Sequence, residues 1–153
     1  NIFFMKLFSL VLFIMFSSFC VSQNDEQEKA IETITTFFEG FHNQDSVLIK
    51  SVVYKAVVMQ SISENTNGNL ELTTTNFSDF IKQIVAIPKD HTFSEKLLSY
   101  SVQIDGNMAN VWTPYQFWYN DKLSHCGVNS FQLIKVNQDW KIFYLVDTRS
   151  KCQ

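Results

Sequence analysis

Apolar side chains recur at three- and four-residue steps through Asp25–His42. Ala30, Ile31, Ile34, Phe37, Phe38 and Phe41 form one stripe, the mark of an amphipathic helix lying on a core. Asp25, Glu26 and Glu28 suit the positive end of that helix. Gly40 weakens its last turn, His42-Asn43-Gln44-Asp45 ends it, and Asp45 is placed to cap a short second helix, SVLIKSVV. The period then changes. AVVMQSIS, within Tyr54–Ser63, and LELTTT, residues 70–75, read as strands joined through the turn signal Asn67-Gly68. A third helix opens at Thr75 or Asn76, carries Phe77, Phe80, Ile81, Ile84 and Val85 on one side, and is stopped by Pro88. Four strands follow: Phe93–Ile104, Met108–Tyr119, Lys122–Val136 and Trp140–Thr148. They are separated by Asp105-Gly106-Asn107, Asn120-Asp121 and Asn137–Asp139. Three helices packed on one face of a strongly curved antiparallel sheet make an α+β domain.

The chain has 153 residues, enough for one domain and one core. Hydrophobic residues make up 46% and include 15 Phe, while a net charge of −3 without a basic cluster argues against a nucleic-acid footprint. Met5-Lys6 followed by LFSLVLFIMFSSF has the length and charge of a signal-peptide start rather than a membrane span. Cleavage is expected after Ser22, leaving a single domain over 23–153, exported to the periplasm or beyond and free of the membrane. A lipoprotein acylated at Cys20 would need a small residue before it, and Phe19 is large. Cys126 and Cys152 remain in the exported part and are a candidate disulfide. If the turn at 137–139 makes a hairpin of the last two strands, Cys126 falls opposite positions 149 to 151. Cys152 then lies one to three residues beyond, at a flexible terminus. The alternative is a free thiol at Cys126 and an exposed Cys152.

The order of elements resembles the nuclear transport factor 2-like superfamily, the conical fold of the SnoaL-like and ketosteroid-isomerase-like proteins. The closing segment SHCGVNSFQLIKVNQDWKIFYLVDTR is similar to the end of the bacterial "putative lumazine-binding" family. The resemblance implies a pocket between the first helix and the concave sheet face, and a homodimer through the outer sheet face. Ketosteroid-isomerase-like sites set an acid against a tyrosine. Tyr54 and Tyr115 are present here, but no acid partner is legible in mid-strand.

Strand alternation selects the side chains that face inward. His125, Gly127, Asn129, Phe131 and Leu133 share one face, which turns polar toward the strand start. An extra residue at Cys126-Gly127 would reverse His125. On the preceding strand Ala109, Val111, Thr113, Tyr115, Phe117 and Tyr119 share one face, and Met108, Trp112, Pro114 and Trp118 the other. Two apolar faces on one strand mean that both are covered, the outer one by a second copy or by a loop. His125 has a pKa suited to a general base, or it serves only as a hydrogen-bonding strand histidine. The expected ligand is a small apolar or aromatic molecule held by Phe38, Tyr54, Tyr115, Phe117, His125 and Asn129. Asp147 and Arg149 stand at the rim, where a surface ion pair is the alternative. No paired Cys or His motif, glycine-rich phosphate loop or nucleophile elbow occurs, so neither a metal nor another cofactor is expected. The function expected is an exported binding protein, with a pocket lyase, isomerase or hydrolase as the alternative.

Overall fold

The computed structural model describes residues 24–152. The proposed signal segment lies outside the described residues. Helix α1 covers 24–43, α2 Ser46–Ser51 and α3 Phe77–Val85. Strands β1 Val53–Glu64, β2 Leu70–Asn76, β3 Phe93–Leu97, β4 Ser101–Asp105, β5 Met108–Tyr119, β6 Lys122–Val136 and β7 Asp139–Arg149 form one sheet in the order β2-β1-β7-β6-β5-β3, with β4 also on β5.

Local chemistry explains the element ends. Asp45 accepts hydrogen bonds from the amides of Val47 and Leu48 at 2.9 and 3.0 Å and caps α2. Asn76, rather than Thr75, caps α3 through Ser78 N at 2.9 Å. The loops between β5 and β6 and between β6 and β7 place Asn120-Asp121 and Asn137-Gln138 at positive φ, the backbone that two-residue hairpins need. Gln44, also at positive φ, donates its side-chain amide to the carbonyls of Ile84 and Ile87, both at 2.8 Å, which ties the end of α1 to the end of α3.

Two features differ from the reading of the sequence. The sheet is mixed, because β1 lies parallel to β7 while every other pairing is antiparallel. The chain crosses from the β2 edge to the β3 edge through α3 and then returns strand by strand until β7 lies beside β1, and alternation cannot reveal that pairing. The stretch Phe93–Ile104 is two strands, not one. It breaks at Leu98-Ser99-Tyr100, and both halves pair with the long β5. Leu98 N donates to Pro114 O at the break, where Pro114 itself has no N–H to give.

The core lies between the concave sheet face and the helices. Phe131 on β6 is fully buried and meets the rings of Phe37 and Phe38 edge-on at 6.1 and 6.0 Å. Phe80 of α3 stacks on Phe37 and Phe41. The start of α1 is held by Glu26, which accepts from the Trp140 indole at 3.2 Å and pairs with Lys135 at 2.7 Å. Gly40 has a use beyond its cost to the helix. A Cβ there would stand 2.9 Å from Ile49, so its absence lets α2 pack against α1.

Phe131→Ala should lower the unfolding free energy by about 3–5 kcal/mol. Val47→Ala, at a position 76% exposed, should change it by less than about 0.5 kcal/mol. Urea denaturation followed by circular dichroism measures both, and equal effects would place the core elsewhere.

Candidate functional site

The concave face carries apolar residues at one end and polar residues at the other, as register dictates. Asp147 lies opposite Ser61 on one side and Asn129 on the other, and Asn129 lies opposite Thr113. The next rows set Tyr115 opposite Gly127 and Leu97, and Phe117 opposite His125 and Glu95. These rows, with Phe37, Phe38 and Phe41 of α1 above them, enclose a cavity of about 310 Å³.

Asp147, only 9% exposed, gathers the polar end. It accepts from Ser61 Oγ through Oδ1, from the Tyr115 hydroxyl at 3.1 Å and from Arg149 Nε at 2.8 Å. Arg149 Nη2 also donates to Ser61 Oγ at 3.1 Å. The pair is therefore part of the cavity wall and not a surface ion pair, although the Arg149 side chain remains half-exposed. The Tyr115 hydroxyl is shared between Asp147 and the carbonyl of Thr148, 3.0 Å away. Burial, and after it the charges of Asp147 and Glu95, push the phenol's pKa up, so it remains a donor at neutral pH.

Gly127 explains why a glycine follows His125 and Cys126. A Cβ at this position would lie 1.8 Å from the Thr148 carbonyl oxygen and 2.9 Å from Tyr115 Cε1. The bare backbone lets β7 and the tyrosine ring close over it. An irregularity does occur in this region, but earlier than Cys126-Gly127: pairing passes from Phe117↔His125 to Trp118↔Leu123, which leaves Ser124 as the extra residue. His125 therefore keeps the register of Gly127 and Asn129 and faces the cavity. Its ring packs against Phe117 at 5.0 Å and edge-on to Tyr115 at 5.7 Å. Burial first, then Arg149, holds its pKa below the ordinary histidine value, with Asp147 opposing, so the ring is neutral at physiological pH.

Cys126 and Cys152 are joined by a disulfide, with Cα atoms 5.0 Å apart. Cys126 bridges Ser150 in the ladder, so Cys152 stands two residues past its opposed position.

The acid that the sequence did not yield is Glu95. It lines the cavity from β3, and Asn129 Nδ2 donates to its Oε1 at 2.6 Å. Burial is the main cause that raises its pKa to about 7. Asp147 adds to the rise, and Asn129 and Arg149 act against it. The expectation of no acid facing the tyrosine is thus corrected twice: Asp147 contacts Tyr115, and Glu95 lies in the same cavity. The usable signal was the alternation Phe93, Glu95, Leu97, one acid between two apolar residues on one face. His42, at the end of α1, reaches the same strand. It is partly buried, accepts the Glu95 backbone N–H at 2.9 Å through Nε2, and is kept neutral chiefly by burial.

Phe38, Tyr115, Phe117, His125, Asn129, Asp147 and Arg149 all line the cavity. Tyr54 does not. It is 37% exposed at the start of β1, where the register shift between Val53 and Val58 breaks the alternation that would have aimed it inward. Among the described residues no three His, Cys, Asp or Glu side chains stand together as a metal site.

A curved, unclosed sheet with helices over its concave face defines the nuclear transport factor 2-like fold. The chain has that fold. A nuclear transport factor 2-like protein of unknown function from Shewanella baltica superposes with a TM-score of 0.61 at 14% identity, over 84% of this chain and 96% of that one. A "putative dehydratase" of the same fold from Streptomyces avermitilis gives 0.64 at 13%, over 85% and 99%. A "putative scytalone dehydratase" from Novosphingobium aromaticivorans gives 0.67 at 11%, over 86% and 88%. No family model matches the sequence, and no curated protein does.

Gly127→Ala should cost about 3 kcal/mol or more, because the atoms it would strike are mostly backbone. It should also displace Tyr115. Urea midpoints and near-ultraviolet circular dichroism read the two effects, and a variant as stable as the parent would show that the close approach is absent in solution.

Proposed function

We propose that this is an exported protein that binds a small apolar or aromatic molecule in its cone. One observation carries the reading: a cavity of about 310 Å³ with phenylalanines on one wall and Tyr115, His125, Asn129, Asp147 and Arg149 converging on the other. An apolar wall facing a few converging polar groups is the composition of a ligand site. The Cys126–Cys152 bond supports export, since disulfides persist in oxidising compartments. Native mass spectrometry of the purified protein should find a small molecule that is released on denaturation. His125→Ala should weaken its rebinding about tenfold, about 1.4 kcal/mol, with the unfolding midpoint nearly unchanged. Unchanged binding together with a large loss of stability would make His125 a structural residue.

A second reading, a pocket lyase, isomerase or hydrolase with His125 as general base, has its own support. A neutral imidazole and a carboxyl with a pKa of about 7 line one cavity, which suits proton transfer near neutral pH. Two of the similar structures are described as a "putative dehydratase" and a "putative scytalone dehydratase". Turnover of the co-purified compound, lost in His125→Ala, separates this reading from binding alone.

The partner on the outer sheet face is a second copy of the chain. Support comes from Met108 and Trp112, 51% and 48% exposed on the outer face of β5, and from Val58, Ile62 and Leu72 exposed on β1 and β2. Light scattering at micromolar concentration should give twice the chain mass. A monomer there ends the dimer.

A further inference from the structure

The charges inside the cavity do not balance, and the imbalance has a sign. Arg149 is the guanidinium at the polar end, and it is already engaged with Asp147 and Ser61. Glu95 is left over. Its only hydrogen-bond donor among the described side chains is the Asn129 amide, on Oε1. No described side chain donates to Oε2. The residue is half-buried and its carboxyl faces the cavity, where desolvation is the main cause that raises its pKa. A buried carboxyl without a cation is costly, and either a proton or a positively charged partner relieves it.

The surroundings decide which ligand charge is tolerated. From α1, His42 faces Glu95 with an acceptor nitrogen already occupied by the backbone N–H of Glu95. From β6 comes His125, from β5 the Tyr115 phenol, and from β7 Asp147 with Arg149. Two carboxyls against one guanidinium leave no positive charge for an anion. The phenylalanine faces attract cations through their ring quadrupoles and repel anions.

We infer that the molecule held in this cavity is an amine, a small apolar or aromatic body whose protonated nitrogen sits at Glu95. The inference rests on the binding reading and adds the chemical class. The amine donates to Oε2 and replaces the missing cation, while Asn129 keeps the carboxylate oriented and the body lies along Phe38, Phe41 and Phe117.

Three probes of matched size test it by isothermal titration calorimetry on the whole chain: 2-phenylethylamine, phenylacetate and 2-phenylethanol. The amine should bind at least tenfold tighter than either other probe at pH 8. Its affinity should rise about tenfold from pH 6 to pH 8, since amines stay protonated there while a carboxyl of pKa about 7 ionises. Titrations at pH 7 in buffers of different ionisation enthalpy should show about half a proton released per amine bound. Glu95→Gln should abolish the preference. If that variant does not fold, the pH profile and proton release of the parent still decide. Binding of phenylethanol or phenylacetate without a preference for the amine, or a preference that survives Glu95→Gln, overturns the amine and leaves the binding reading standing. No binding by any of the three overturns both.

Discussion

Asp147 is the point at which the sheet is tied across its width. Its carboxylate takes hydrogen bonds from Ser61 on β1, from Tyr115 on β5 and from Arg149 on its own strand. β7 lies between β1 and β6, so it joins the amino-terminal hairpin to the carboxy-terminal meander. A buried carboxylate with three donors is satisfied, and loss of any one donor would leave it less compensated. The position of Tyr115, the lack of a side chain at Gly127 and the inward set of Arg149 all follow from this one cluster. The Cys126–Cys152 bond fixes the strand ends beside it.

That rigidity gives the cavity its character. Side chains locked by packing and by second contacts present a fixed set of groups to a ligand. Around Asp147 every polar group has a partner, whereas Glu95 has one donor for two oxygens. A protein that needed only a stable fold would gain by placing an apolar residue there, because burial raises the pKa of an unpaired acid at the expense of the ionised folded state. Glu95, between Phe93 and Leu97, therefore costs the fold stability, and its open oxygen faces the cavity.

Most of the fold was legible because period and turn chemistry agree over long stretches. β5 and β6 begin and end where the alternation and the Asn120-Asp121 turn place them, and the α1 stripe from Ala30 to Phe41 supplies the buried face. The parallel pairing of β1 with β7 was not legible, since pairing partners far apart in the chain leave no mark in local pattern. The split at Leu98–Tyr100 was hidden because the flanking residues read as strand on either side. The inward facing of His125, Asn129 and Asp147 was read from strand alternation, and all three line the cavity. That of Glu95 was not, because the strand that carries it was read only as a strand and its alternation was left unused. Tyr54 was wrongly aimed because a register shift after Val53 cannot be seen from residue types alone.

The claim on which the site depends is that Glu95 is a buried carboxyl without a compensating cation. Carbon-13 nuclear magnetic resonance of the glutamate side-chain carboxyls, with Glu95→Gln to assign the signal, measures its titration directly in the ligand-free protein. The expected midpoint is about 7, raised chiefly by burial. A midpoint near 4.5, the ordinary glutamate value, would mean that water or a cation already serves Glu95, and would contradict this account of the cavity.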